Sequence, residues 1–207
     1  MPEFLRRYTN IPALIHLLAG KKITLLDPVS WDDKNDSHFL ALYREKKSLT
    51  TVLALCFTQT TETYHHWRVF ADGSSGVCLT FDKDKLLSAV KKQHGVTARA
   101  VRYLKLPEIK RKKLKLDELP FLKRFPYGDE REFRLVYASK SVEAAALDID
   151  IPIGCIRRVT LSPWIPAALT GHLKDALRKI DGCADLKIAR STLIGNEQWK
   201  NLGEGAR

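Results

Sequence analysis

Apolar positions along this chain recur with two different periods, helical in some stretches and strand-like in others, and the mixture predicts an α+β fold. Asn10 can cap a short helix with Pro12 in its first turn, Leu14, Leu17 and Leu18 on one face and Gly20 at its end. Residues 23–26 read as a short strand that Asp27-Pro28 breaks before a polar loop from Trp31 to Asp36, and Asp36 or Ser37 can cap the helix that follows. Residues 52–57 form an apolar run of strand length, and the hydroxyl-rich stretch 58–63 favours a turn leading into a short helix with His65, His66 and Trp67. Residues 76–81 read as the next strand, and Asp82 or Asp84 can cap a helix through Leu86, Leu87 and Val90. Further strands are expected at 98–103, 133–137, 151–153, 157–161 and 186–189, with a helix at 166–180.

Between residues 105 and 124 the chain turns strongly basic. Lys110, Arg111, Lys112, Lys113 and Lys115 alternate with apolar Ile109, Leu114 and Leu116, which predicts an amphipathic helix over 109–115 with a solvated cationic face. No regular strand-helix-strand repeat and no glycine-rich phosphate loop is present, which disfavours a doubly wound sheet. Without repeat, low-complexity tract or linker, residues 1–207 are expected to form a single domain.

Composition narrows the setting. Hydrophobic residues make up 44% of the 207 and charged ones 29%, which suits a packed globular interior. A formal net charge of +11 concentrates polyanions around the molecule, so nucleic acid is the leading partner class; the alternative is that the basic surface serves solubility alone. Cys56, Cys78, Cys155 and Cys183 are far apart and three sit in apolar, strand-like contexts, as buried thiols of a cytoplasmic protein do. The first residues lack an apolar signal core and no run approaches the length of a membrane span, so no membrane partner is expected.

Two constellations carry candidate chemistry: the stretch from His65 to Asp82, and Tyr127-Gly128-Asp129-Glu130-Arg131-Glu132-Phe133-Arg134. In the second, Glu130 and Glu132 stand at strand spacing and project to the same side. His65 and His66 point in different directions on a helix without a third ligand, which argues against a metal site. No Ser-His-Asp or Cys-His arrangement is legible. Asn35 and Asp36 read as loop-holding residues.

Several of these residues resemble the bacterial domain-of-unknown-function family numbered 2971, which is associated with abortive-infection and mobile-element genes. The resemblance rests on Arg6-Arg7-Tyr8, Lys34 to Ser37, Cys56-Phe57-Thr58, then Trp67, Phe70, Ala71, Gly76 and Val77, and a final Glu130, Glu132 and Arg134. The chain departs from the pattern at Arg6 and Tyr127, in the loop without a proline, and at Phe70, where a tyrosine is expected. The family is in turn similar to ADP-ribosyltransferases in its order of basic first strand, aromatic middle segment and late glutamate strand. That similarity implies short, mostly antiparallel strands in a split sheet with flanking helices, and NAD as substrate.

It also implies roles. Glu132 would stabilise the oxocarbenium-like state and Glu130 would orient or deprotonate the acceptor; Arg7 would pair with the NAD phosphates, with Tyr8, Trp67 and Phe70 as aromatic walls and Arg134 on the cofactor side. The implied function is an ADP-ribosyltransferase acting on a macromolecule, a nucleic acid or nucleic-acid-bound protein, in the manner of a toxin or phage-defence effector with a neutralising partner. The competing reading is a non-enzymatic nucleic-acid-binding module using Lys110 to Lys113 and Lys115. In that reading the glutamates only support the fold; taken by themselves, Glu130, Arg131, Glu132 and Arg134 can also be read as a salt-bridged strand surface, and Trp67 and Phe70 as core packing.

Overall fold

The computed structural model describes residues 3–71, 73–111 and 113–204, without the side chains of Lys110 and Arg111. Lys112 of the predicted cationic set therefore lies outside the described residues, as do the side chains of Lys110 and Arg111 before it.

The chain begins with β1 (Phe4–Asn10), α1 (Ile11–Gly20), β2 (Lys22–Leu26), α2 (Lys34–Lys46) and β3 (Thr51–Thr58). It continues with α3 (Tyr64–Phe70), β4 (Gly76–Asp82), α4 (Lys83–Val90), β5 (Val96–Ala100), β6 (Arg102–Leu104), α5 (Leu106–Arg111), β7 (Leu122–Arg124) and β8 (Glu132–Ser139). The last elements are β9 (Ala146–Asp150), β10 (Ile156–Leu161), α6 (Ala167–Arg178), β11 (Ile188–Arg190) and α7 (Glu197–Glu204). Nine strands form one sheet in the order β11-β10-β4-β1-β3-β2-β9, with β8 beside β3 and β5 beside β8; β6 and β7 pair separately. Within the large sheet every pairing is antiparallel except β10 with β11. The expected α+β architecture of mostly antiparallel strands with flanking helices is what the chain adopts.

The sheet forks at β3. One edge of β3 is taken along its whole length by β8, from Thr51↔Ser139 to Thr58↔Glu132. Its other edge is shared: Thr58 pairs with Arg6 of β1, and Ala54 pairs with Leu26 of β2. At Cys56, between these two bridges, β1 and β2 part, and this is the split in the sheet.

Burial explains why β3 reads as a continuous apolar run. Leu53, Leu55 and Phe57 face the main core with Leu14, Leu17 and Leu18 of α1 and Leu86 of α4, while Val52 and Ala54 pack under Leu40 of α2. A strand covered on both faces loses the polar alternation of a half-exposed one.

Some boundaries differ from expectation for local reasons. Asp33, rather than Asp36 or Ser37, caps α2 by accepting from the Asn35 N–H at 3.0 Å, which frees Asp36 to face inward. The basic helix is shorter and earlier than 109–115: α5 ends at Arg111, and Lys113 and Lys115 follow in irregular chain before a 3-10 turn over Leu116–Phe121. Leu114 and Leu116 there pack against Leu104, Leu119 and Leu122, so tertiary contacts prevail over the helical pattern.

Candidate functional site

A cavity of about 540 Å³ opens where the sheet forks, within the range of small-molecule sites. Arg6, Arg7 and Tyr8 of β1 line it, with Cys56 of β3, His66 and Phe70 of α3, and Glu130, Glu132 and Arg134. Trp31 and Asp33, from the loop before α2, form the far wall with Asp36.

Arg7 reaches into the fork. Its Nη1 donates to the Cys56 carbonyl at 3.2 Å, and burial pulls its pKa below the ordinary guanidinium value. A guanidinium has five N–H donors, so this bond leaves others to face an anion. Arg6 similarly donates to the Thr60 carbonyl at 2.7 Å.

The floor of the cavity is a buried charge network. Arg134 is 0% exposed, and all five of its N–H donors are bound. Nε and Nη2 donate to the two carboxylate oxygens of Glu132 at 2.7 and 2.8 Å. Nη1 and Nη2 donate to Asp36 at 2.9 and 2.7 Å, and Nη1 also to the Pro120 carbonyl at 2.8 Å. The Trp31 ring stacks 4.8 Å from the guanidinium. With no donor left over, Arg134 cannot take the cofactor-binding role that the motif implies for it; it orients Glu132.

Lys123 completes the network. Its Nζ lies 2.7 Å from Glu130, 3.5 Å from Glu132 and 3.8 Å from Asp36. Burial works against its charge, but Glu132, Glu130 and Asp36 outweigh that and raise its pKa above the ordinary lysine value. The same competition separates the two glutamates. Burial acts to raise the pKa of Glu132, yet Arg134, by charge and hydrogen bonds, and Lys123 hold it below the ordinary range. For Glu130 burial prevails over its Lys123 bond, and the pKa rises.

Glu130 and Glu132 do not share one strand as their spacing suggests. Glu130 ends a 3-10 turn over Phe125–Glu130, and Arg131 between them takes a left-handed φ of 43° before β8 begins. That conformation costs about 1–2 kcal/mol for a side-chain-bearing residue, and it turns both carboxylates inward while Arg131 stays exposed. Thr58 Oγ1 donates to the Glu130 carbonyl at 2.6 Å, fixing the turn to the end of β3. Glu130 and Glu132 are 7% and 5% exposed, so they do not line a salt-bridged strand surface.

Of the three aromatic walls, Tyr8 and Phe70 line the cavity, and Phe70 is 40% exposed. Trp67 does not. It is 0% exposed, stands edge-on to Tyr8 at 5.1 Å, and its indole N–H donates to Glu62 at 2.7 Å, so it supports the wall from behind. Burial pushes the Tyr8 phenol upward and the Cys78 thiol up to about 12. Lys113 and Lys115 are exposed and lie outside the cavity lining.

Sequence reasoning gave no site role to Asp36, Lys123, Trp31 and Asp33, and none to His66 although it singled out the stretch that begins at His65. Asp36 had a signal: it stands four residues before buried Leu40, on the inward face of α2. His66 is 2% exposed, with Nδ1 2.6 Å from Thr63 Oγ1, and burial lowers its pKa. Among the described residues no cluster of three or more His, Cys, Asp or Glu has metal-binding geometry.

A family model described as Protein of unknown function (DUF2971) matches residues 66–135, from His66 on α3 to Leu135 on β8. The resemblance to that family holds over this stretch. It contains Lys123, Glu130, Glu132 and Arg134, most of the cavity's charged floor, and Phe70 of its wall. No curated protein matches the sequence significantly. Among solved structures, the chain is similar to Thermus sp. 2.9 DarT in complex with ADP-ribosylated ssDNA, at 11% identity and a TM-score of 0.47, over 92% of this chain and 94% of that one. The same protein in complex with NAD+ matches at 11% identity and a TM-score of 0.45, over 92% and 96%. All four cysteines are free, and no helix among the described residues is long and apolar enough to cross a membrane.

Proposed function

We propose that this chain is an ADP-ribosyltransferase that takes NAD as substrate, with Glu132 as its catalytic carboxylate and Glu130 as the base toward the acceptor. The observation that carries the reading is the meeting of Arg7 and Glu132 across the fork of the sheet, in one cavity of about 540 Å³. The residues fit the ligand: Arg7 keeps guanidinium donors for a pyrophosphate, Tyr8 and Phe70 offer flat walls, and Glu132 is anionic where positive charge develops.

The reaction needs no further group. The bond from ribose C1′ to the nicotinamide nitrogen breaks with its electron pair going to the nitrogen, which leaves as neutral nicotinamide. The oxocarbenium-like C1′ is stabilised by Glu132, which Arg134 holds in place, as carboxylates do in glycoside cleavage. The acceptor's N–H or O–H group attacks C1′, and its proton passes to Glu130, whose carboxylate burial makes more basic than an ordinary glutamate.

The acceptor is a nucleic acid or a protein bound to one, encountered in the cytoplasm, as expected of a toxin or phage-defence effector kept in check by a neutralising partner. The net charge of +11 supports a polyanionic acceptor, and exposed Arg124 and Arg131 flank the turn that presents Glu130. The test is transfer of label from adenylate-labelled NAD to DNA, RNA or protein fractions by the purified chain. Acid-stable label in one fraction, absent with Glu132→Gln, is the expected result. Failure to bind NAD or label any fraction overturns the reading.

A further inference from the structure

The three carboxylates of the cavity floor are not held alike. Both oxygens of Asp36 and both of Glu132 accept from the Arg134 guanidinium. Glu130 has no bond to Arg134 among the described residues; its Oε2 accepts from Lys123 Nζ at 2.7 Å, and no other cation among them pairs with it. Its second oxygen, Oε1, has no hydrogen-bond partner among the described residues either, yet it is not one of the unpartnered atoms shut off from solvent, which are the Tyr8 hydroxyl and Asp33 Oδ2. Glu130 lines the cavity, so one of its oxygens stays open there while a single ammonium holds the other.

Lys123 is itself buried at that place. It stands on β7 with its side chain 9% exposed, and its Nζ lies 4.9 Å from the centre of the Tyr127 ring, on the turn that ends at Glu130. The other ionisable groups around the pair are Asp36 and Glu132, 3.8 and 3.5 Å from Nζ, and the Tyr103 hydroxyl of β6, which accepts from the Glu132 N–H at 2.8 Å. On the α3 side, His66 Nε2 stands 3.4 Å from the Glu130 carbonyl, and His65 faces Asp129 at 3.7 Å. Burial favours the protonated form of Glu130, Lys123 opposes it by hydrogen bond and by charge, and Glu132 and Asp129 side with burial. A protonated carboxyl cannot serve as the base. We infer that Lys123 is a positioning residue for the acceptor step, whose ammonium clamps Oε2 of Glu130 and keeps the carboxylate anionic, with Oε1 free for the acceptor's proton. The inference rests on the NAD reading and divides its two steps between two cations, Arg134 behind the cleavage carboxylate and Lys123 behind the base.

Water and a macromolecular acceptor report the two steps separately. With water alone, NAD gives nicotinamide, ADP-ribose and one proton, and a small nucleophile in large excess depends less on a positioned base. The test follows that hydrolysis at saturating NAD, and label transfer from adenylate-labelled NAD to DNA, RNA and protein fractions, across pH for the full chain, Lys123→Met and Lys123→Gln, with melting temperatures as the check on folding. Lys123→Met deletes the bond and the charge. Lys123→Gln keeps a donor and deletes the charge alone, and it carries the same prediction where the first does not fold. Transfer at neutral pH is expected to fall at least about tenfold further than hydrolysis, with its acid limb moved to higher pH and the rate recovering above it. In a Glu130→Gln background the same changes should cost no further transfer, because the group that Lys123 serves is gone. Equal losses of hydrolysis and transfer, an unmoved acid limb, full additivity with Glu130→Gln, or unfolding of both variants overturns the role of Lys123 alone. Absence of hydrolysis and transfer in wild type overturns the NAD reading with it.

Discussion

The floor of the cavity and the basic segment after β6 are both dense in charge, yet they are opposite kinds of structure. At the floor, Asp36 of α2 joins Lys123, Glu130, Glu132 and Arg134 from one late stretch of the chain, and all five are locked by short bonds away from water. After β6, the charges are neighbours in sequence, and Lys113 and Lys115 stand in solvent on irregular chain. A run of like charge therefore marks a surface, and the site is marked by opposite charges bonded to one another out of water. Exposed charges respond to salt and count little toward stability, while buried ones are coupled and break together.

The sharpest way to break the contrast is Arg134→Leu. It leaves Asp36 and Glu132 buried with only Lys123 between them, and thermal or denaturant unfolding should show a loss of about 3–5 kcal/mol. The network should also soften in acid from the Glu132 side. Its folded pKa is depressed, so its contribution is present above the ordinary glutamate range and is lost as pH falls through the lower folded value.

Glu130→Gln comes next and separates the two carboxylates. If Glu130 takes the acceptor's proton, transfer should fall by about a hundredfold or more, while its raised pKa places the acid limb of the wild-type rate profile above the ordinary glutamate value. The variant should lose that limb. An unchanged pH profile would return Glu130 to a purely structural role.

The smallest effects belong to the surface. Lys113→Ala with Lys115→Ala should leave stability within about 0.5 kcal/mol, since both side chains stand in solvent. Nucleic-acid affinity should fall evenly across sequences, with the salt slope shrinking by about one for each phosphate no longer neutralised. If the double variant instead abolished transfer with nucleic-acid binding intact, the segment would have to be counted with the site.

Much of the fold was legible because it follows local rules. Asn10 does cap α1, accepting from the Ala13 N–H at 3.0 Å, and the run at β3 is a doubly covered strand. The site was only half legible. Arg7, Tyr8, Phe70, Glu130 and Glu132 do meet at one cavity, as the order of motifs suggested. Trp67 was misplaced because core and cavity wall lie on adjacent faces of α3 and periodicity does not say which is which. Asp36 looked like a loop holder because Asp33, three residues earlier, supplies the cap, a choice between two equivalent side chains that only packing decides. Lys123 stands beside exposed Arg124 in a basic stretch, and its carboxylate partners at 36, 130 and 132 are set by tertiary structure.

Glu132 is the pivot of the functional account, and its isosteric replacement isolates it. Cleavage of NAD to nicotinamide should be followed in wild type and Glu132→Gln under matched conditions, with NAD binding and melting temperature recorded for both. The account predicts that the variant still binds NAD and stays folded while its cleavage rate drops by about a hundredfold or more. Cleavage at the wild-type rate by folded Glu132→Gln would contradict it.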